Sequence, residues 1–172
     1  FKDKSFAQKI SEIDHHYCMF GIPLYSDNPR RHNYIVQSKN AFSQTIEGII
    51  NLKKYNQLVE IRFVIHKQSL ERIEETCEFI SRNLPFVDHV ALMGLEITGF
   101  TRANLDTLWA DPFMYKDKLS NAVNILNSYK IPTSIYNHQL CLVNEDVRKN
   151  YVKSISDWKN EYIEKCNNCK LK

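Results

Sequence analysis

A chain of 172 residues, 43% hydrophobic and 25% charged, has the composition of a soluble globular protein with a core of its own. Its 23 basic and 20 acidic residues leave a net charge of +3 with no basic run, which argues against a nucleic-acid surface. No stretch has the length of a membrane span or the pattern of a signal peptide, so the cytoplasm is the expected compartment.

In chain order, Phe6 to Ile13 reads as a helix, followed by an apolar strand-like run from His16 to Leu24. Phe42, Ile46, Ile49, Ile50 and the stem of Lys53 make one apolar helical stripe. A second strand is expected over Leu58 to Ile65. The next stripe is Leu70, Ile73, Cys77, Ile80 and Leu84, with Ser69 as its N-cap and Glu71 favourable in the first turn. A third strand over Val87 to Met93 precedes the stripe Tyr115, Leu119, Ala122, Val123, Leu126 and Tyr129. A fourth strand is expected over Ile131 to Tyr136.

Continuous apolar runs suit strands buried on both faces, and strand spacings of roughly 30 to 45 residues match the βαβ period of a parallel sheet. The expectation is an α/β domain over residues 1–140, then an irregular polar tail over residues 141–172.

In parallel α/β folds ligands bind at the carboxyl ends of the strands. Polar residues follow each run here: Tyr25, Ser26 and Asp27; His66 and Lys67; Gly94, Glu96, Thr98 and Gly99; Asn137, His138 and Gln139. They either line one rim of a pocket or form ordinary exit loops. Asp27, in Ser-Asp-Asn-Pro, reads better as a turn residue than as an acid–base group. His66 reads equally as a loop histidine, and His15-His16 as structural. Glu96 either faces inward or lies on a solvent-facing edge. Gly94 and Gly99 would permit close approach to a ligand.

Five cysteines are present. Cys77 lies in a helical stripe and Cys18 in a strand, so both are expected in the core. Cys166-x-x-Cys169 has metal-ligand spacing, and Cys141 would be a third ligand, against the alternative of spare thiols.

Several segments together resemble radical S-adenosylmethionine enzymes: Gly21-Ile-Pro-Leu-Tyr-Ser, His32-Asn-Tyr-Ile with Phe42-Ser-Gln-Thr-Ile-Glu-Gly-Ile, Leu58-Val-Glu-Ile-Arg-Phe-Val-Ile-His-Lys, Val90-Ala-Leu-Met-Gly-Leu-Glu and Thr133-Ser-Ile-Tyr-Asn-His-Gln-Leu-Cys. Ala91-Leu-Met-Gly-Leu-Glu-Ile-Thr-Gly-Phe, Tyr136-Asn-His-Gln-Leu-Cys and Ile155-Ser-Asp-Trp-Lys-Asn-Glu-Tyr are most similar to the His-Xaa-Ser system radical SAM maturases. The resemblance implies the third to sixth strands of a partial (β/α)6 TIM-like barrel, with His32-Asn-Tyr-Ile in a loop.

In that family a [4Fe–4S] cluster held by CxxxCxxC cleaves S-adenosylmethionine reductively and a peptide or protein substrate is modified, with a flavodoxin or ferredoxin as reductant. This sequence contains no CxxxCxxC. The chain, which opens on Phe1, is therefore expected to be a piece of a longer enzyme, inactive alone and prone to self-association through its first strand's edge. By resemblance, Tyr25, Ser26, Arg62, His66, Gly94, Glu96 and Asn137 would cradle the cofactor. Cys141, Cys166 and Cys169 would begin an auxiliary iron–sulfur site. The alternative is a stand-alone α/β ligand-binding or zinc-binding interaction module.

Overall fold

The computed structural model describes residues 1–13, 18–153 and 162–171. Helix α1 (Lys4–Ile13) is followed by strand β1 (Met19–Pro23), helices α2 (Pro29–Val36) and α3 (Ala41–Lys54), and strand β2 (Leu58–Ile65). Next come α4 (Lys67–Leu70), α5 (Ile73–Asn83), β3 (His89–Gly94), α6 (Leu105–Leu108), α7 (Pro112–Ser128) and β4 (Thr133–Tyr136). Among the described residues no helix is long and apolar enough to cross a membrane.

The strands form one parallel sheet in the order β1-β2-β3-β4. Ile22 pairs with Ile61, Ile61 with Val90, and Val90 with Thr133, which defines one row across the sheet. When each crossover steps to the next strand in one direction, right-handed connections put every covering helix on the same side. The core has that composition. Val59, Ile61, Phe63, Ile65, Val90, Leu92 and Ile135 cluster with Ile49 and Leu52 of α3, Ile73, Cys77 and Ile80 of α5, and Leu119, Val123 and Leu126 of α7. The three stripes expected from the sequence correspond to the three faces that cover the sheet, except that Ile50 and Tyr129 are exposed and Leu52, outside the expected stripe, is buried.

The opposite face departs from the expectation of strands buried on both sides. Side chains alternate along a strand, so Glu60 and Arg62 project away from the helices, and Met19, Gly21 and Pro23 of β1 are exposed. An apolar run marked one buried face, and two charged residues within β2 marked the other.

Four local features differ from the sequence reading. His32 lies in α2 and not in a loop: Asn28 Oδ1 accepts from the backbone N–H groups of Arg30 (3.0 Å) and Arg31 (3.2 Å), and Pro29 fills the first helical position. Ser69 does not cap α5. It sits within α4, where its hydroxyl donates to Val64 O (2.7 Å) and accepts from His66 N–H (3.0 Å), fastening the β2 exit. Cys18 is exposed just before β1, outside the core. Val87 and Ile131 are buried but precede β3 and β4, because apolar character reports burial, not pairing. His15 and His16, at the start of the expected first strand, lie outside the described residues.

Helices α3 and α7 end alike. Asn56 (φ 58°) and Lys130 (φ 59°) adopt the left-handed conformation, and the next N–H, of Gln57 and of Ile131, reaches back to Leu52 O (3.0 Å) and Leu126 O (3.1 Å). The chain thereby turns directly into β2 and β4.

Candidate functional site

The carboxyl ends of the strands bring most of the expected rim residues to one side of the sheet. Tyr25 follows β1 and its backbone N–H donates to His32 Nδ1 (3.2 Å), so the neutral ring of His32 carries its proton on Nε2. That Nε2 is buried without a hydrogen-bond partner, as is Nδ1 of His66 at the end of β2. The Tyr25 ring lies between the two imidazoles, with centroids 6.0 Å from each. Burial drives both histidines down from 6.5 to about 4, so they are neutral at pH 7. Burial also raises the Tyr25 phenol.

Other rim residues are occupied by the fold itself. Ser26 is fully buried, with its Oγ accepting from Asn28 N–H (3.1 Å) and donating to Asp27 (3.3 Å). Asp27 is a turn anchor, as its sequence context suggested: both carboxylate oxygens accept from Arg72, at 2.8 and 2.6 Å. Gly94 gives no room to a ligand. A Cβ there would collide with the carbonyl oxygen of Asn137, and the His138 ring is 3.1 Å away. The close approach that Gly94 permits is therefore between the ends of β3 and β4. Gly99 has φ 54° and open space around it. Glu96 is half-buried beyond β3, and Asn137 takes a left-handed turn (φ 57°) after β4. His138 is held by Tyr115 Oη at 2.9 Å and Tyr136 O at 2.8 Å, which makes it a core histidine.

The tail cysteines do not assemble a cage. Cys141 is exposed in a short 3-10 turn after β4, whereas Cys166 and Cys169 share a turn in which Cys169 N–H donates to Cys166 O (3.1 Å). Among the described residues no group of three His, Cys, Asp or Glu side chains is placed to hold a metal ion. Cys141, Cys166 and Cys169 would be three of the roughly four ligands that an auxiliary cluster needs, and they are not brought together among the described residues.

Arg62 lies below the rim, on the face opposite the helices, within a relay absent from the sequence reading. Its Nε donates to Glu60 Oε1 (2.7 Å) and its side chain lies across Gly21, where a Cβ would come within 2.5 Å of Nε. Glu60 Oε2 meets His89 Nδ1 at 2.8 Å, and His89 Nε2 meets Ser134 Oγ at 2.9 Å. Four residues on three adjacent strands are thereby linked in one line. The available signal was the spacing of Glu60 and Arg62, two apart in an apolar strand, which places both on one face. His89 lies 29 residues beyond Glu60 and Ser134 a further 45 beyond His89, and spacing alone did not mark them.

No protein-family model matches the chain, and no solved structure matches it significantly.

Proposed function

We propose that this chain forms the later strands of a radical SAM partial (β/α)6 barrel, contributing to the site where S-adenosylmethionine and a peptide or protein substrate meet in the intact enzyme. The sheet order carries the reading. Four parallel strands follow one another in sequence order, with their covering helices on one face and an opposite face that mixes Glu60, Arg62, His89 and Ser134 with apolar side chains. A doubly wound sheet would reverse its order and cover both faces, whereas an arc of a barrel has the arrangement found here.

The rim fits the cofactor in part. The buried, unpartnered nitrogens of His66 and His32, with Tyr25 between them, offer hydrogen-bonding capacity and a flat ring to a bound heteroaromatic group. Arg62 adds a positive charge toward the open face, and Glu96 and Asn137 stand at the same end of the sheet. Ser26 and Gly94 are engaged by the protein itself and drop out of the contact set. S-adenosylmethionine supplies the radical chemistry when bound beside its [4Fe–4S] cluster. A flavodoxin or ferredoxin would deliver the electron, and the cytoplasm is the compartment that suits such chemistry. The exposed β1 strand is the surface through which copies of this chain would associate.

Titration of the isotope-labelled chain with S-adenosylmethionine, followed by amide and imidazole NMR shifts, tests the assignment. Saturable shifts at Tyr25, His32, His66 and Asn137 with a Kd below about 1 mM are expected. Unmoved rim resonances at that concentration would sink the reading.

A further inference from the structure

The Glu60–His89–Ser134 line lies on the open face, away from the rim, and has the parts of a nucleophilic site. An ionised carboxylate only accepts hydrogen bonds, so Glu60 Oε2, 2.8 Å from His89 Nδ1, fixes the proton of the neutral imidazole on Nδ1. The Nε2 lone pair is then directed at Ser134 Oγ, 2.9 Å away, and receives its hydroxyl hydrogen. A hydroxyl beside a base, with the base oriented by a third group, is the arrangement that activates a serine.

Rigidity favours the same reading. Glu60, His89 and Ser134 stand on three neighbouring strands of one hydrogen-bonded sheet, so their spacing is set by regular backbone and not by loops. Glu60 is held from its other oxygen by Arg62 at 2.7 Å. The site is open to small molecules: the Arg62 side chain is 53% exposed, and Ser134 is half-buried. The Arg62 guanidinium leans over Gly21 of β1, on the side away from Ser134, and so braces Glu60 without reaching the hydroxyl.

We propose that Ser134, His89 and Glu60 form a nucleophilic relay that takes the acyl group of an activated carboxylic ester. Ser134 Oγ bonds to the ester carbonyl carbon as its proton passes to His89 Nε2. The carbon–oxygen bond to the alcohol then breaks, and the alcohol leaves with that proton. Water attacks the acyl-serine with His89 again as base, releasing the acid and restoring the Ser134 hydroxyl. No oxidant or further reactant is needed. Ser134 and His89 are not among the residues proposed for the cofactor, so the two readings are tested separately.

The whole chain is treated with a fluorophosphonate and with 4-nitrophenyl acetate, and the adducts are mapped by peptide mass spectrometry. The expected result is one adduct, on the peptide containing Ser134, absent in Ser134→Ala. His89→Gln and Glu60→Gln should slow its formation by about 10²–10⁴-fold and by a smaller factor respectively, with circular dichroism showing both variants folded. A folded wild-type chain without an adduct on Ser134, or labelling unchanged in His89→Gln, would each overturn the proposal.

Discussion

Asp27 and Arg72 join two segments of the fold that are 45 residues apart, through two hydrogen bonds of 2.8 and 2.6 Å. The pair ties the β1 exit to the start of α5, and Thr76 adds its hydroxyl to Asp27 N–H at 3.1 Å. Burial alone would raise the Asp27 carboxyl, but Arg72 and the neighbouring donors outweigh it and the group lies below its usual value of 3.8. Its folded value being depressed, its stabilising contribution is present above about pH 4 and is lost as the pH falls through the folded value. Asp27→Asn should lower stability by about 1–2 kcal/mol at pH 7, allowing for the partial exposure of Arg72, and by progressively less below pH 4. Urea unfolding at several pH values reads this directly.

The two buried histidines set a second acid response. His32 and His66 titrate at about 4 when folded against 6.5 when unfolded. Between those values the unfolded chain binds the extra protons, so stability is full above pH 6.5 and declines as the pH falls toward 4. The ceiling is about 3 kcal/mol for each ring. Replacing either with Leu should remove roughly half of this pH dependence in denaturant melts between pH 7 and pH 4.5. An unchanged slope would mean that the rings titrate normally.

Gly94 and Gly21 predict opposite outcomes for the same substitution. At Gly94 an added Cβ meets the Asn137 backbone, which cannot swing aside, so Gly94→Ala should cost about 1–3 kcal/mol and shift amide resonances at both strand ends. At Gly21 the obstacle is the Arg62 guanidinium, at 2.5–3.0 Å, which is mobile. Gly21→Ala should cost less in thermal stability but displace Arg62 from Glu60, which the chemical shift of Arg62 Nε reports.

Thiol reactivity should divide by depth. Cys77 is fully buried in the core and burial raises its thiol far above its usual 9.0, whereas Cys18 and Cys141 are exposed. A disulfide reagent applied to the native chain at pH 8 should modify Cys18 and Cys141 within minutes and Cys77 only on unfolding. Rapid native modification of Cys77 would place it outside the core.

The sheet was legible because each strand and each covering helix advertises burial on its own: Leu58–Ile65 begins and ends as the apolar run does, and the stripe from Tyr115 to Leu126 is the buried face of α7. Short polar devices were harder to read. Asn28-Pro29 starts a helix by a cap whose signal is a single residue pair, and Ser69 has the composition of a cap while serving a turn. The strand ends located most of these polar residues at one end of the sheet, but the use of each group depends on what comes to meet it, as Gly94 and Asn137 illustrate. The Glu60–His89–Ser134 line depends on register between distant segments, and register is not local information.

The strictly sequential order of the strands also bears on how the chain folds. Every strand pairs with the one preceding or following it in sequence, so each β–β contact closes a loop of about one strand–helix–strand unit. No strand must wait for a distant segment to be inserted beside it, as the central strands of a doubly wound sheet must. Low separation of pairing partners favours fast assembly for a parallel sheet, and it lets the sheet be built unit by unit from whichever end forms first.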